Sequence, residues 1–572
     1  MKTMQRVRMG QLFSLFVAAS VCLTLISCSE DKREQSDTEG AVLASYEMGA
    51  ELNGDVIVFS HDSGVYPDES ISVALTAPEG CTIAFTTDGS TPTASNSTSS
   101  EVELNLDRSL SGNLVAQRDL MINPDIPHEI ILDDPSLPFG VVVTACAVNE
   151  SGKLSDPVSK TYFLGVDFAD RFPNCVVVSL TTDPENLLNY DTGILANGAV
   201  YDDWRQSQTA QEIIDKEQTW LVETNGTQRG KDWERPCRLQ IYDMNNNLEL
   251  EQNAGMRISG GTSSRESQKS FNFYFRDEYG SAPFESEVFD GLDVNSGFRL
   301  RAGGNNVRYL KFKDAFLMNL LSNCKCLMAQ SRTAVLFING EYWGPYLLSE
   351  KISDQLIHDR YGVDKDQVVI TKEGEVDEGL DEDIALYDEL MSYAQKDLTD
   401  PETWQAFCKE MDIESMADCF AARVYIGDAD WAPDKNDLLW RTRDDSFNDG
   451  RWQYILYDIE FSSGMYGNEL TSANTDHLKV AMEKYPLFAQ AIRNQEFYNL
   501  FLESLKTIGQ ENCNPEQVRS TLQEYLDVWE PLLPDFYKRF GDWQSGWDSV
   551  ISSTLDFFDA RYDVIIPIAE EL

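Results

Sequence analysis

Residues 427–467 read GDADWAPDKNDLLWRTRDDSFNDGRWQYILYDIEFSSGMYG. They hold two groups of carboxylates with a predicted strand pair between them. The runs 438–440 and 452–457 are rich in aliphatic and aromatic residues, which is typical of a β-hairpin. Such a hairpin would bring Asn436 and Asp458 to the same end of the strand pair.

The polar residues of this stretch have a spacing that suits phosphoryl transfer. Asp430 precedes Asn436 by six residues, and Asp458 follows the hairpin. In phosphoryl transfer one carboxylate orients the hydroxyl proton, while an amide and a second carboxylate hold Mg²⁺ on the phosphates. The chain carries 96 acidic residues, and Asp-rich loops are often simply solvated. Spacing alone therefore leaves both interpretations open.

Composition limits the possible function classes. The chain has 572 residues, enough for two to four domains, and a net charge of −50. No basic patch is present, and a polyanion would be repelled, so nucleic-acid binding is not expected. The four histidines, none of them paired at metal-ligand spacing, are His61, His128, His358 and His477. A histidine-built zinc site or a histidine-based triad is therefore not expected.

The N-terminus predicts export. A basic start leads into an apolar run that ends Leu25-Ile26-Ser27-Cys28. Leu-x-Ser-Cys resembles the bacterial lipobox, which implies that residues 1–28 form a lipoprotein signal and that Cys28 carries the membrane anchor. An ordinary signal with a chance cysteine is the alternative. Residues 29–50 have the composition of a flexible tether. Their acidic start resembles the export signal of outer-surface lipoproteins in Bacteroides-type bacteria, which predicts a surface-exposed protein of the outer membrane.

The cysteines do not define a disulfide framework. Nine remain after Cys28, an odd number, and most lie in apolar runs that suit buried thiols. Oxidation of a pair such as Cys81 and Cys146 in an exported protein stays open.

Residues 51–168 are predicted to form a β-sandwich. The runs 71–75, 82–86 and 141–148 are strand candidates separated by turn signals. FSHDSG at 59–64 and TTDGSTPT at 86–93 resemble the fibronectin-like domain named for the C-terminal part of chitobiase and hexosaminidase. Such modules usually act as spacers, and a glycan-binding role is the alternative. Turn chemistry explains the Asp-Gly pair without a ligand.

A second domain is predicted over residues 169–510. RISGGTSSR at 257–265 and QKSFNFYF at 268–275 read as strand, loop and strand. Small loop residues let a backbone approach a phosphate, and Lys269 and Arg265 could neutralise it. The same pattern is common in plain hairpins, and the sequence contains no Walker loop.

Four motifs occur in a characteristic order. They are RISGGTSSRESQKSF, FRLRAGG, FINGEYWGPYLLSEKI and DWAPDKNDLLWR…WQYILYDIEFSSG. Together they resemble the spore-coat-H (CotH) kinase family, with Bacteroides-type members most similar. The resemblance covers roughly residues 175–497 and implies a divergent protein-kinase-like fold without a glycine-rich loop, and the use of ATP with Mg²⁺ or Mn²⁺.

The resemblance also implies residue roles. Lys269 would pair with the phosphates and form an ion pair with Glu350, although a surface ion pair at a strand edge is the alternative. Asp430 would be the catalytic aspartate. The residues implied as metal ligands are Asn436, Asp458 and Glu460. The further nucleotide contacts implied are Arg265 and Lys372.

Two departures bear on activity. Family members often read WD-x-D where this chain reads Tyr457-Asp458-Ile459-Glu460, so one ligand is a methylene longer. The spacing from Asp430 to Asn436 is one residue longer than in members reading DWPxNN, so Asp428 is an alternative base. Little ATP is present outside a cell.

Residues 511–572 show helical spacing and are predicted to pack on the kinase-like domain. The sequence therefore predicts an α+β protein: a β-sandwich, a kinase-like domain and a helical C-terminal segment. The expected function is ATP-dependent phosphoryl transfer to protein Ser or Thr. The alternative is a non-catalytic surface binding or assembly protein, with a protein or glycan partner.

Overall fold

A computed structural model describes residues 57–112, 114–126, 129–280, 284–289 and 292–572. The predicted leader, the lipobox Cys28 and the tether lie outside the described residues.

The first part of the chain forms two packed sheets. Their strands are β1 (Val58–Phe59), β2 (Gly64–Tyr66), β3 (Ile71–Thr76), β4 (Thr82–Thr86), β5 (Glu101–Leu106), β6 (Gly140–Val148) and β7 (Val158–Leu164). One sheet has the order β1-β3-β5 and the other β2-β7-β6-β4. Alternate residues such as Val73 and Leu75 point into a shared core with Val141 and Val143, as a sandwich requires.

The connection between β5 and β6 leaves this sandwich. Leu114, Met121 and Ile131 are buried in the large core of the following domain. Ile126 packs beside Trp204 in a smaller cluster. The predicted sandwich thus contributes a segment that packs with its neighbour.

Seven strands of the second part close into a barrel. They are β8 (Val176–Thr181), β9 (Arg235–Tyr242), β10 (Leu248–Ser259), β11 (Ser270–Tyr274), β14 (Gly297–Arg301), β15 (Ser331–Ile338) and β16 (Glu341–Glu350), and β12 (Phe284–Phe289) and β13 (Leu292–Asn295) pair separately. The order around the barrel is β10-β11-β14-β16-β15-β8-β9. Among the described strands of the barrel, β8 and β15 are the pair that runs parallel. Closure leaves no exposed edge in the barrel and fixes where each strand ends.

Helices precede, separate and follow the barrel strands, and a small sheet comes after them in the chain. The helices up to residue 507 are α1 (Phe168–Arg171), α2 (Pro184–Leu188), α3 (Gly198–Arg205), α4 (Gln208–Asp215), α5 (Lys313–Leu320), α6 (Asp354–Tyr361), α7 (Ile384–Ser392), α8 (Pro401–Glu410), α9 (Ile413–Ile426), α10 (His477–Lys484), α11 (Pro486–Ala491) and α12 (Gln495–Thr507). The sheet contains β17 (Val368–Lys372), β18 (Glu375–Glu378), β19 (Leu438–Thr442) and β20 (Gln453–Ile455), in the order β18-β17-β19-β20. The predicted hairpin is therefore the β19–β20 pair.

The C-terminal segment is helical, as predicted. Its helices are α13 (Pro515–Trp529), α14 (Leu533–Phe540) and α15 (Gln544–Glu570). Trp529 and Trp547 pack around Phe312 at the start of α5. Pro567 lies inside α15. These helices complete the core of the preceding domain.

The sandwich and the barrel share an aromatic interface. Phe163 of β7 packs edge-on against Phe337 of β15, with ring centroids 4.9 Å apart. The Asn339-Gly340 turn lies beside it, and Gly140 N–H donates to the Gly340 carbonyl at 2.7 Å. No helix of the described residues is long and apolar enough to cross a membrane.

Candidate active site

Helix α9 delivers the aspartate-rich loop. The helix ends at Gly427, whose φ of +69° turns the chain sharply. A Cβ at that position would lie 2.9 Å from the His477 ring, so glycine is required there. Arg423, in the last turn, forms an ion pair with Asp428 in which both side chains are buried. Its other nitrogen donates to the carbonyls of Asn436 (3.0 Å) and Tyr457 (2.9 Å). Arg423 therefore holds the two acidic segments together.

Asp430 and Asn436 lie in one tight loop. The Asn436 amide donates to the Asp430 carbonyl at 2.9 Å, and Asn436 adopts a φ of +56°. The Asp430 carboxylate lies 2.5 Å from the Lys435 ammonium. Burial raises the pKa of Asp430, Lys435 opposes that rise, and Asp458 adds to it. A partly buried carboxyl with a raised pKa suits a general base.

Asp458 follows the β19–β20 hairpin and lies close enough to Asp430 to influence its pKa. It has a φ of +52° and keeps 28% of its side chain exposed. Burial opposes its ionisation, but Arg301 and Arg299 hold its pKa below the ordinary value. The structure thus brings Asp430, Asn436 and Asp458 together, as their spacing predicted.

Arg301 is the cation at the centre of this site. It ends strand β14 and contacts three carboxylates: Asp314 at 3.0 Å, Glu460 at 2.8 Å and Asp458. Asp314 in turn accepts from the Ile459 N–H at 2.9 Å. A guanidinium can serve several carboxylates at once because its five N–H donors point in fixed directions.

Glu460 is not placed as an exposed metal ligand. Its side chain is 2% exposed and accepts from the Asn305 N–H at 2.6 Å. Gly304 presses against it, and a Cβ there would lie 2.0 Å from Oε1. Burial raises the pKa of Glu460 to about 7, and Arg301 opposes the rise. Glu460 thus serves as a buried partner of Arg301.

Lys269 anchors the loop before β11. Its ammonium donates to the carbonyls of Ser264 (2.8 Å) and Glu266 (3.1 Å), and the residue is 4% exposed. Burial lowers its pKa, while Glu129 and Glu266 oppose that change. The lysine therefore neutralises the backbone dipoles of the loop in this structure.

The expected ion pair between Lys269 and Glu350 does not form. Glu350 pairs with Arg360 and accepts from the Gln330 N–H at 2.6 Å. Burial raises the pKa of Glu350, and Arg360 opposes the rise. The physical reason is register, because Glu350 lies opposite Phe298 while Lys269 lies beyond the other end of β14.

The two weaker nucleotide candidates differ in position. Arg265 donates to the carbonyls of Val222 (2.7 Å) and Gly261 (2.8 Å). Like Lys269, it therefore stabilises the loop between β10 and β11. Lys372 ends β17, next to Glu373, whose carboxylate accepts from the Asn436 N–H at 3.2 Å. Lys372 is therefore adjacent to a residue that contacts the acidic loop, and it pairs with Leu438 in the small sheet.

Asp428, the alternative base, is buried in an ion pair with Arg423. Its side chain is fully buried and holds Arg423. It also accepts from the Asp430 N–H at 3.1 Å. Burial raises its pKa to about 6, and Arg423 opposes the rise. Asp430 is the more accessible of the two carboxyls.

The donor chemistry of the site fits a hard dication in part. Asp458 and Asn436 offer carboxylate and amide oxygens, which Mg²⁺ and Mn²⁺ accept as ligands. Glu460 does not fit, since its carboxylate is enclosed. Within the described ranges, no group of three or more His, Cys, Asp or Glu side chains is arranged to hold a metal ion. The Arg301 cation lies among the carboxylates instead.

Three important residues of the site escaped prediction from sequence: Arg301, Asp314 and Arg423. Each left a signal. Arg423 interrupts the apolar run of α9, and Asp314 is a buried acid in the first turn of α5. Arg301 lies in FRLRAGG. A buried charge in an apolar segment requires a partner, which only the fold identifies.

Comparison with known proteins identifies the family of this chain. A family model described as CotH kinase protein matches residues 256–565, more than half of the chain. The chain belongs to this family. The CotH match begins in β10 and ends in α15, so it includes the acidic loop, Arg301 and most of the C-terminal helices. The α+β, kinase-like fold predicted from sequence is confirmed.

The N-terminal resemblance is confirmed as well. A model described as chitobiase/beta-hexosaminidase C-terminal domain matches residues 61–117. No curated protein matches the chain. The CotH domain thus carries a sandwich module at its N-terminal side.

Proposed function

We propose that this CotH-family protein is an atypical protein kinase that transfers the γ-phosphoryl group of ATP to a protein Ser or Thr. The observation that carries the proposal is the meeting of Asp430, Asn436 and Asp458 at one site. Two of the three are held in left-handed backbone conformations, Asn436 at +56° and Asp458 at +52°. Asparagine and aspartate adopt this conformation more readily than other non-glycine residues.

In the proposed reaction Asp430 accepts the proton of the acceptor hydroxyl. A bond forms between that oxygen and the γ-phosphorus, the bond from the γ-phosphorus to the β–γ bridging oxygen breaks, and ADP leaves. Lys435, 55% exposed, neutralises Asp430 in this structure and can move aside. Asp458 and Asn436 would hold Mg²⁺ or Mn²⁺, which supplies positive charge to the phosphates when bound.

The test is transfer of labelled γ-phosphate by the soluble form (residues 41–572) with Mg²⁺ or Mn²⁺. The acceptors are the chain itself and a casein-like protein. Asp430→Ala and Asp458→Ala are compared with wild type. Label that both variants lose would support the kinase. Folded wild-type protein that transfers no label would contradict it.

The second candidate is a non-catalytic surface binding or assembly protein with a kinase-like fold. The observation in its favour is that Lys269 and Arg265 bind backbone carbonyls while Arg301 occupies the carboxylates. A protein partner is the first expectation and a glycan on the sandwich module the second. Titration of Mg²⁺-ATP by calorimetry distinguishes the two functions, since this candidate predicts no binding to either wild type or Asp458→Ala.

The proposed location is the cell envelope, with a lipid on Cys28 that anchors the chain to the outer membrane surface. The lipobox and the tether composition support this part of the proposal. Growth with labelled fatty acid checks it. Label should enter the wild-type chain and be absent from Cys28→Ser, and protease added to intact cells should degrade a surface-exposed protein.

A further inference from the structure

A buried ion pair joins Arg301, at the end of barrel strand β14, to Asp314 in the first turn of helix α5. We propose that Arg301 is the positioning residue of the transfer site. Together with Asp314 it fixes Asp458 and ties β14, α5 and the loop after β20 into one unit. This inference rests on the proposed kinase function.

The contacts give Arg301 this position. Its Nη1 lies 3.0 Å from Asp314 Oδ2, and the two side chains are 6% and 9% exposed. Its Nη2 contacts Asp458 Oδ1 and lies 2.8 Å from Glu460 Oε2. The Arg301 guanidinium therefore contacts helix α5 and the loop after β20 at the same time.

Chain order supports the same assignment. In protein kinases the lysine that organises the phosphates lies on the third strand and pairs with a glutamate on the helix that follows. Here Arg301 is the last residue of β14, and α5 is the next helix, with Asp314 in its first turn. Lys269 precedes an earlier strand, and Glu350 ends a strand.

Orientation of Asp458 needs such a partner. Its backbone lies in the left-handed region at +52°, which aspartate adopts more readily than most residues, and the Arg301 contact fixes the direction of its carboxylate. A lysine at position 301 would keep the charge but lose the fork that contacts several carboxylates at once. The Arg301→Lys variant therefore distinguishes the effect of the positive charge from the effect of the guanidinium geometry.

The experiment compares Arg301→Lys, Asp314→Asn and the double variant with wild type. The matched control is Arg257→Lys. Arg257 forms a buried pair with Glu234 at 2.7 Å in the same barrel and lies over the Tyr274 ring. The measurements are kcat of phosphoryl transfer, Mn²⁺ binding by electron paramagnetic resonance, and thermal unfolding.

We expect Arg301→Lys and Asp314→Asn each to lower kcat at least about tenfold while Mn²⁺ affinity changes less than about threefold. The double variant should be no slower than the slower single variant, because the two residues act as one pair. Arg257→Lys should lower the unfolding temperature and leave kcat within about twofold of wild type.

Each other outcome decides against the inference. An active wild type whose Arg301→Lys and Asp314→Asn variants keep their kcat would overturn it and leave the kinase proposal intact. A fall in Mn²⁺ affinity that accounts for the whole fall in kcat would also overturn it. Wild type that neither binds Mn²⁺ nor transfers phosphate would overturn the kinase proposal and this inference together. If Arg301→Lys fails to fold, Asp314→Asn decides alone, since Arg301 keeps its other partners there.

Discussion

Arg423 and Asp428 lie five residues apart, on either side of the end of helix α9, and form a fully buried ion pair. The pair spans the turn at Gly427, and Arg423 also binds the carbonyls of Asn436 and Tyr457. The geometry of the acidic loop thus depends on a charge inside the core.

Removal of Arg423 should therefore destabilise the fold. Arg423→Met leaves the Asp428 carboxyl buried without a cation, which costs about 3–5 kcal/mol of unfolding free energy. Urea unfolding measures the change. Lys325→Met is the control, because its pair with Glu414 is more than half exposed on both sides and should contribute under about 1 kcal/mol. Equal costs for the two variants would contradict the role of Arg423.

His477 should make stability depend on pH on the acid side. Burial, with help from Arg561, lowers its pKa to about 4 from 6.5. Between these values the unfolded chain binds a proton that the folded chain excludes, so stability falls as pH falls from about 6.5 to about 4. The loss from this group approaches about 3 kcal/mol at pH 4. His477→Gln should remove this part of the slope, as urea unfolding at several pH values would show. An unchanged slope would contradict it.

Arg561 connects the C-terminal helix to the acidic loop. It donates to the carbonyls of Val424 (2.6 Å) and Tyr425 (2.9 Å) at the end of α9. Arg561→Met should cost at least about 3 kcal/mol, because these buried carbonyls lose a charged donor. The control is Arg519→Met, whose pair with Asp559 is exposed and should contribute less than about 1 kcal/mol. Thermal unfolding of both variants checks the difference.

Asn339 should couple the sandwich module to the barrel. Its amide accepts from the Thr182 N–H (2.9 Å) and donates to the Thr182 carbonyl (2.8 Å) and the Asp88 carbonyl (3.3 Å). Asn339→Ala loses these bonds and places alanine at a φ of +48°, which should cost about 2–3 kcal/mol. Asn339→Gly tolerates that φ and should cost less. Limited proteolysis should cut the alanine variant faster between the two parts, and equal rates would contradict the coupling.

Asp458 and Glu460 should differ in their effect on metal binding. Asp458→Asn should weaken Mn²⁺ binding more than about tenfold, because an exposed ligand oxygen loses its charge. Glu460→Gln keeps an acceptor for the Asn305 N–H and should change Mn²⁺ affinity less than about threefold. Electron paramagnetic resonance measures both affinities. A stronger loss in Glu460→Gln would restore Glu460 as a ligand.

Local patterns in the sequence predicted a large part of this protein. Alternating apolar residues located strands β3, β4 and β6, and the C-terminal spacing predicted helices. Asn436 and Asp458 lie at the same end of the β19–β20 hairpin, and Asp430 is held beside Asn436 by a hydrogen bond within one loop. These features depend on contacts between residues close in the chain, so sequence spacing is enough to determine them.

The charge partners were decided by the tertiary structure alone. The resemblance predicted an ion pair between Lys269 and Glu350. The register of the barrel places the two residues at opposite ends of β14, and Glu350 pairs with Arg360. Arg301 meets Asp314 and Asp458 across 13 and 157 positions of the chain. A buried charge pairs with the opposite charge that lies beside it in the packed core. The spacing of two residues along the chain does not determine whether they are neighbours in the core.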